Sequence, residues 1–126
     1  MEGGIFLMLL FIPEHVPMIL DGTKTQTRRI WKRKRCNVGA IHLAKTMMLS
    51  KEYFAKLNIL RVWQEPLGDI SRADAIAEGY KDGNDYLNAF FTINKIGPFF
   101  HNRISYLEGL VWCVEFKLVE GGGVNE

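Results

Sequence analysis

A chain of 126 residues, 48% apolar and 24% charged, has the size and balance of one folded domain, which excludes a disordered tail and leaves too little for two comfortable domains. The formal net charge of +2 identifies no partner, but its distribution is uneven: Lys24, Arg28, Arg29, Lys32, Arg33, Lys34 and Arg35 put seven positive charges and no acid into residues 24–35, leaving −5 for everything else. Cys36 and Cys113 lie far apart, and His15, His42 and His101 are scattered without ligand spacing, so we expect reduced thiols, a cytoplasmic protein, no metal and no cofactor.

The run IFLMLLFI (5–12) is eight residues long, where a membrane span needs about twenty. It has no positive lead and no small-residue cleavage site after it, so the expectation is a buried central strand and no membrane partner. Pro13 stops that strand because proline lacks the N–H a ladder requires. Residues 13–22 (PEHVPMILDG) predict a short helix, with both prolines near its start and Gly22 at its exit. Residues 24–31 (KTQTRRIW) alternate as a strand, 37–39 as a turn, and 40–48 (AIHLAKTMM) as a strand with Ile41, Leu43, Lys45 and Met47 on one face. Residues 50–57 (SKEYFAKL) fit either a helical turn or a wide hairpin insertion, and 58–67 return as a strand.

Residues 70–80 (ISRADAIAEGY) carry the clearest helix signal, with Ser71 as N-cap, Asp74 at the reciprocal capping position and Gly79 able to close the end. A second helix is predicted over 82–94, an irregular stretch over 97–109, and a closing strand over 110–119 with Leu110, Trp112, Val114, Phe116 and Leu118 inward. This order predicts an α+β fold: a small, partly open β-barrel of five or six strands flanked by two or three helices. We expect a single domain over 1–126, its core about 5–119, with flexible termini at 1–4 and 120–126.

The stretch GTKTQTRR (22–29) then asks for a function. A phosphate cradle of the NTPase type needs two glycines ahead of the lysine, and those positions hold Met18 and Thr23, so nucleotide hydrolysis is set aside. On an extended strand Lys24, Gln26 and Arg28 share one face and Thr25, Thr27 and Arg29 the other. Such a cationic strip suits a polyanion, with Trp31, Tyr53 and Trp63 available for stacking. The run 32–35 (KRKR) is equally compatible with a solvated hairpin tip. Glu78 sits in the last turn of its helix, where the macrodipole disfavours an anion by roughly 0.3–1 kcal/mol; either Lys81 or, across a cleft, Lys24 or Arg28 could offset that.

These residues carry a resemblance. Gly22-Thr-Lys24-Thr-Gln-Thr27-Arg28, Asn37-Val-Gly39, Glu65-Pro-Leu, Asp74-Ala and Glu78-Gly79-Tyr80, with Phe90 downstream, resemble the ASCH domain family over roughly residues 8–119. The resemblance implies a PUA-like barrel with a cleft where the lysine–arginine block and the helix glutamate converge. It implies binding of RNA or a modified nucleoside or nucleotide, for which Arg28, Arg29, Lys32, Arg33, Lys45 and Tyr80 are the candidate contacts. It also implies, for one small branch, an amidohydrolase acting on acetylated cytidine, whose triad falls here on Lys24, Thr27 and Glu78. Residues 50–57 look like an insertion relative to that branch. The leading expectation is an RNA- or nucleotide-binding protein with a basic cleft, acting as a monomer or weak dimer; the alternatives are the amidohydrolase and a non-catalytic interaction domain.

Overall fold

In the computed structural model, which describes residues 7–97 and 100–124 apart from the side chains of 100–102, the elements run β1 (Met8–Leu10), α1 (Val16–Leu20), β2 (Gln26–Arg29), β3 (Ile41–Lys45), β4 (Glu52–Pro66), α2 (Arg72–Ala77), α3 (Gly83–Ile93), α4 (Phe100–Glu108) and β5 (Leu110–Val124). The described strands make one mixed sheet in the order β1-β3-β4-β5-β2, with β1 and β3 parallel and the other pairs antiparallel. The sheet does not close, and the fold is α+β. No helix among the described residues is long and apolar enough to cross a membrane.

The long β4–β5 hairpin shapes the sheet. Ala55, Leu57 and Ile59 alternate inward along β4 and pack with Val114 and Phe116 of β5, Leu9, Phe11, Ile19 and Ala44 in one core cluster. Between Lys56 and Leu57 the register skips Val119, and between Ile59 and Arg61 it skips Leu60. Each is an extra residue on one strand, and such bulges bend and twist the ribbon that carries them. The bend brings the two edge strands, β1 and β2, toward each other. Across the remaining seam Arg29 Nη2 donates to Leu10 O at 2.6 Å, while its guanidinium lies over the Phe11 ring at 5.0 Å. The other face of the sheet is covered by helices: Ala75 of α2 and Tyr86, Phe90 and Phe91 of α3 pack with Leu67, Val111 and Cys113.

Several expectations change. The first apolar run gives an edge strand of three residues, not a central one; Leu9 and Phe11 are buried all the same, because the curl turns that edge inward, and Ile5 and Phe6 lie outside the described residues. Of the two readings of 50–57 the helical turn is not realised: residues 52–57 are the start of β4, in the wide β4–β5 hairpin. The partner of this start is the stretch 121–124, expected to be a loose end: Glu52 pairs with Val124, Tyr53 with Gly123 and Ala55 with Gly121. A Cβ on Gly122 would sit 2.4 Å from Tyr53 O, so the glycines there permit a close backbone approach. The stretch expected to be irregular contains α4, with Pro98 and Phe99 outside the described residues. Its polar surface hid a narrow apolar side, in which Leu107 packs on the second cluster. In β5 both faces are buried: Val111 and Cys113 face the helices opposite Val114 and Phe116, and Leu110 is exposed.

Candidate functional site

β2 is shorter than its sequence suggests because Lys24 leaves the ladder for a carboxylate. Lys24 N–H donates to Met18 O at 2.9 Å and Thr25 N–H to Ala77 O at 2.7 Å, which ties the start of β2 to the ends of α1 and α2. The side chain of Lys24 is then buried and its ammonium donates three hydrogen bonds: to Glu78 Oε1 at 2.7 Å, to Glu78 O at 2.9 Å and to Gln26 O at 2.9 Å. The bond to Glu78 O also places a cation on the C-terminus of α2, the end that favours one. Ser71 starts that helix by accepting from Asp74 N–H at 3.0 Å, and Gly79 ends it with φ +103°. That left-handed φ strains any residue with a side chain, so glycine suits the turn that carries Glu78 back over Lys24, and a Cβ there would also press on the Met18 thioether at 2.8 Å.

Arg28, four residues further along the chain and on the same face, donates to the other Glu78 oxygen, Oε2, at 3.0 Å. It also donates to Gln26 Oε1 at 2.9 Å, Asp74 Oδ2 at 3.2 Å and Glu65 Oε2 at 3.3 Å. Gln26 Nε2 donates to Asp74 Oδ1 at 2.9 Å, and Trp63 Nε1 to Glu65 Oε1 at 2.8 Å. Two buried cations thus meet three carboxylates in one connected network, as buried charge requires. Burial pulls the Lys24 pKa down while Glu78 opposes it, and the neighbouring Arg29 and Arg28 add to the downward shift. Glu78 is therefore paired with both cations, Lys24 and Arg28, and the local Lys81 alternative is not the one realised.

Above this network lies a pocket of about 360 Å³ at the seam between β1 and β2, roofed by α3. Lys24, Thr27, Arg28, Arg29, Glu78 and Tyr80 all line it, so six of the nine candidate residues converge. Thr27 Oγ1 accepts from Arg29 Nε at 2.9 Å on the face of β2 opposite Gln26 and Arg28. Lys24 Nζ and Thr27 Oγ1 share no hydrogen bond. The other three candidates lie elsewhere: Lys32 and Arg33 are exposed on the loop after β2, and Lys45 is buried at the end of β3, donating to Ser50 O at 2.7 Å.

His15, which has no ligand spacing in the sequence, joins the pocket wall. Its Nε2 is 2.8 Å from Tyr80 Oη, and the rings meet edge to face. Burial first, then Lys24 and Arg29, push its pKa down to about 4, so the imidazole is neutral near pH 7. Edge-to-face and tilted contacts continue from Tyr80 to Tyr86 and on to Phe90, giving the pocket an aromatic wall. Burial also raises the Tyr80 and Tyr86 hydroxyls, keeping both protonated. The only sequence sign of His15 was its place in PEHVP, two residues after the strand-ending Pro13; that of the wall was Tyr80, Tyr86 and Phe90 on two consecutive helical segments. Among the described residues no group of three or more His, Cys, Asp or Glu is placed to hold a metal.

No protein-family model and no curated protein sequence matches the chain. Solved structures do. A protein of the DUF984 family from Enterococcus faecalis superposes with a TM-score of 0.61 at 18% identity, covering 86% of this chain and 71% of that one. An ASCH domain from Lactobacillus crispatus gives 0.54 at 19%, covering 82% and 69%, and a point mutant of an ASCH protein from Zymomonas mobilis gives 0.51 at 12%, covering 90% and 72%. The likeness read from the GTKTQTR and EGY blocks is thus met by the fold: this chain has the architecture of ASCH domains.

Proposed function

We propose that the protein binds RNA or a nucleotide, holding one nucleoside unit in the seam pocket. One observation carries the reading: a cleft of nucleoside size joins an aromatic wall to a cationic floor whose charges are fixed by Glu78. Rings accept the π-face of any base, and base–aromatic stacking contributes about 1–3 kcal/mol per base. Among the described residues, Arg29 is the pocket cation without a carboxylate partner, while Lys32, Arg33, Lys34 and Arg35 continue the chain as an exposed loop that starts three residues beyond it. That loop supplies the salt-dependent attraction to a phosphate backbone. Titration calorimetry with cytidine, uridine and short single-stranded RNA tests this. Binding is expected to weaken as salt rises and to fall when Tyr80 becomes alanine. Heats indistinguishable from dilution for every ligand would remove the reading.

A second reading has its own support, since Lys24, Thr27 and Glu78 all line the pocket. In a deacylation of acetylated cytidine, Thr27 would attack the acetyl carbonyl, and the C–N bond would break with a proton passed to the departing cytidine amine. Water would then hydrolyse the acyl-threonine to acetate and free Thr27. The Thr27 oxygen accepts from Arg29, which favours the developing alkoxide, and its hydroxyl proton is free to leave. Glu78 would be the stronger proton acceptor of the two partners, because Lys24 already donates three bonds as an ammonium. Incubation with acetylated cytidine checks this; cytidine release no faster than from Thr27→Val excludes it.

A further inference from the structure

The side chains on the pocket floor have little left to offer a ligand. Lys24 uses all three of its hydrogens, and the two Arg28 Nη atoms serve Gln26, Glu78, Asp74 and Glu65. Turning either cation toward a ligand would take from the buried Glu78 carboxylate one of its two partners and break an ion pair formed inside the protein, which is costly. What the seam does offer is backbone. An edge strand presents unpaired N–H and C=O groups at every second residue.

The register says which residues these are. On β1, Leu43 N–H donates to Leu7 O and Phe11 N–H donates to Lys45 O, so residues 7, 9 and 11 face β3 and Leu10 faces the seam. The Leu10 carbonyl confirms that direction, because it accepts from Arg29 across the gap. On β2, Phe116 N–H donates to Thr25 O, and Thr27 is paired with Val114, so residues 25, 27 and 29 face β5 while Gln26 and Arg28 face the seam. The Gln26 carbonyl is taken by Lys24. Among the described residues the Leu10 N–H, the Gln26 N–H and the Arg28 N–H and C=O are left, and of these three residues Leu10 and Arg28 line the pocket. Arg28 has unused capacity in its side chain too: its buried Nε is without a hydrogen-bond partner among the described residues.

We propose that these two strand edges read the ligand: the Arg28 N–H and C=O, opposite the Leu10 N–H, pair with the edge of a planar heterocycle that carries a hydrogen-bond donor and acceptor side by side, as uracil and cytosine do. The inference rests on the nucleoside reading above and adds what discriminates between ligands. The aromatic wall is indifferent to base identity, whereas a strand edge demands complementary donors and acceptors. A ligand that covers those backbone groups and leaves them unpaired forfeits binding steeply.

The experiment pairs each parent nucleoside with an analogue lacking the edge donor: uridine with 3-methyluridine, and cytidine with N4,N4-dimethylcytidine. Calorimetry is expected to show the parent binding at least tenfold tighter than its methylated analogue. Because a methyl group also adds bulk, amide NMR signals give the second readout, with those of Leu10 and Arg28 moving as the parent is added. A parent that binds less than tenfold tighter than its analogue, or that leaves both amide signals in place, overturns this proposal alone. Absence of binding by both parents overturns it together with the nucleoside reading.

Discussion

Two groups of cations, four residues apart at their nearest, meet opposite fates. Lys24 and Arg28 are buried and share Glu78 between them; Lys32, Arg33, Lys34 and Arg35 are exposed on the loop that follows. In the sequence they form one basic island. In the molecule the first group is a structural network that holds α2 against β2, and the second is free surface. Charge alone therefore decides nothing about role; burial and the carboxylate partner do.

The hardest way to break this contrast is to remove the shared carboxylate. Glu78→Ala leaves Lys24 and Arg28 buried without their common partner, and should cost about 3–5 kcal/mol, read as a lower urea midpoint. Lys24→Met, which leaves Glu78 on Arg28, should cost clearly less; equal losses would mean that the two cations do not share the anion.

Acid attacks the same region through His15. Its folded pKa of about 4 lies below its ordinary 6.5. Between those values the unfolded chain binds a proton that the folded one does not, so stability is full above pH 6.5 and is lost as pH falls toward 4. At about 1.4 kcal/mol per unit, discounted for the solvent that still reaches this ring, the total comes to about 1–2 kcal/mol. Denaturation midpoints across this window should fall in the wild type, and His15→Phe should flatten that part of the profile.

Smaller again is the helix start. Ser71→Ala removes the cap that accepts from Asp74 N–H, and should lower stability by about 1 kcal/mol without changing the fold. The smallest effect on stability belongs to the loop: replacing Lys32, Arg33, Lys34 and Arg35 with serine should leave the midpoint unmoved. The same variant should reduce the slope of log affinity for single-stranded RNA against log salt by as much as about 3. A stability loss matching that of Glu78→Ala would erase the distinction between the two groups.

Much of this was legible beforehand, and for identifiable reasons. The α2 boundaries follow from Ser71 and Gly79, whose side chain and lack of one act within a single turn. The faces of β2 follow from strict alternation, which sets Lys24, Gln26 and Arg28 against Thr27 and Arg29. Local rules failed where partners were distant. Residues 52–55 became strand because Gly121 to Val124 pair with them, and α4 formed under a polar surface because the second core cluster accepted Leu107. His15 was invisible for the same reason: Tyr80, its partner, is 65 positions away.

By itself the sequence determined α2, α3, β2 and β3, the α+β class and the candidate residues Lys24, Thr27, Arg28 and Glu78, because capping, alternation and the family blocks are all written in short stretches of chain. Only the tertiary structure decided where the partly open sheet leaves its gap, that this seam becomes the pocket, and which cations are buried and which are exposed. Those outcomes depend on bulges and ion pairs joining residues tens of positions apart, where the register of the β4–β5 hairpin, not local preference, sets what meets what.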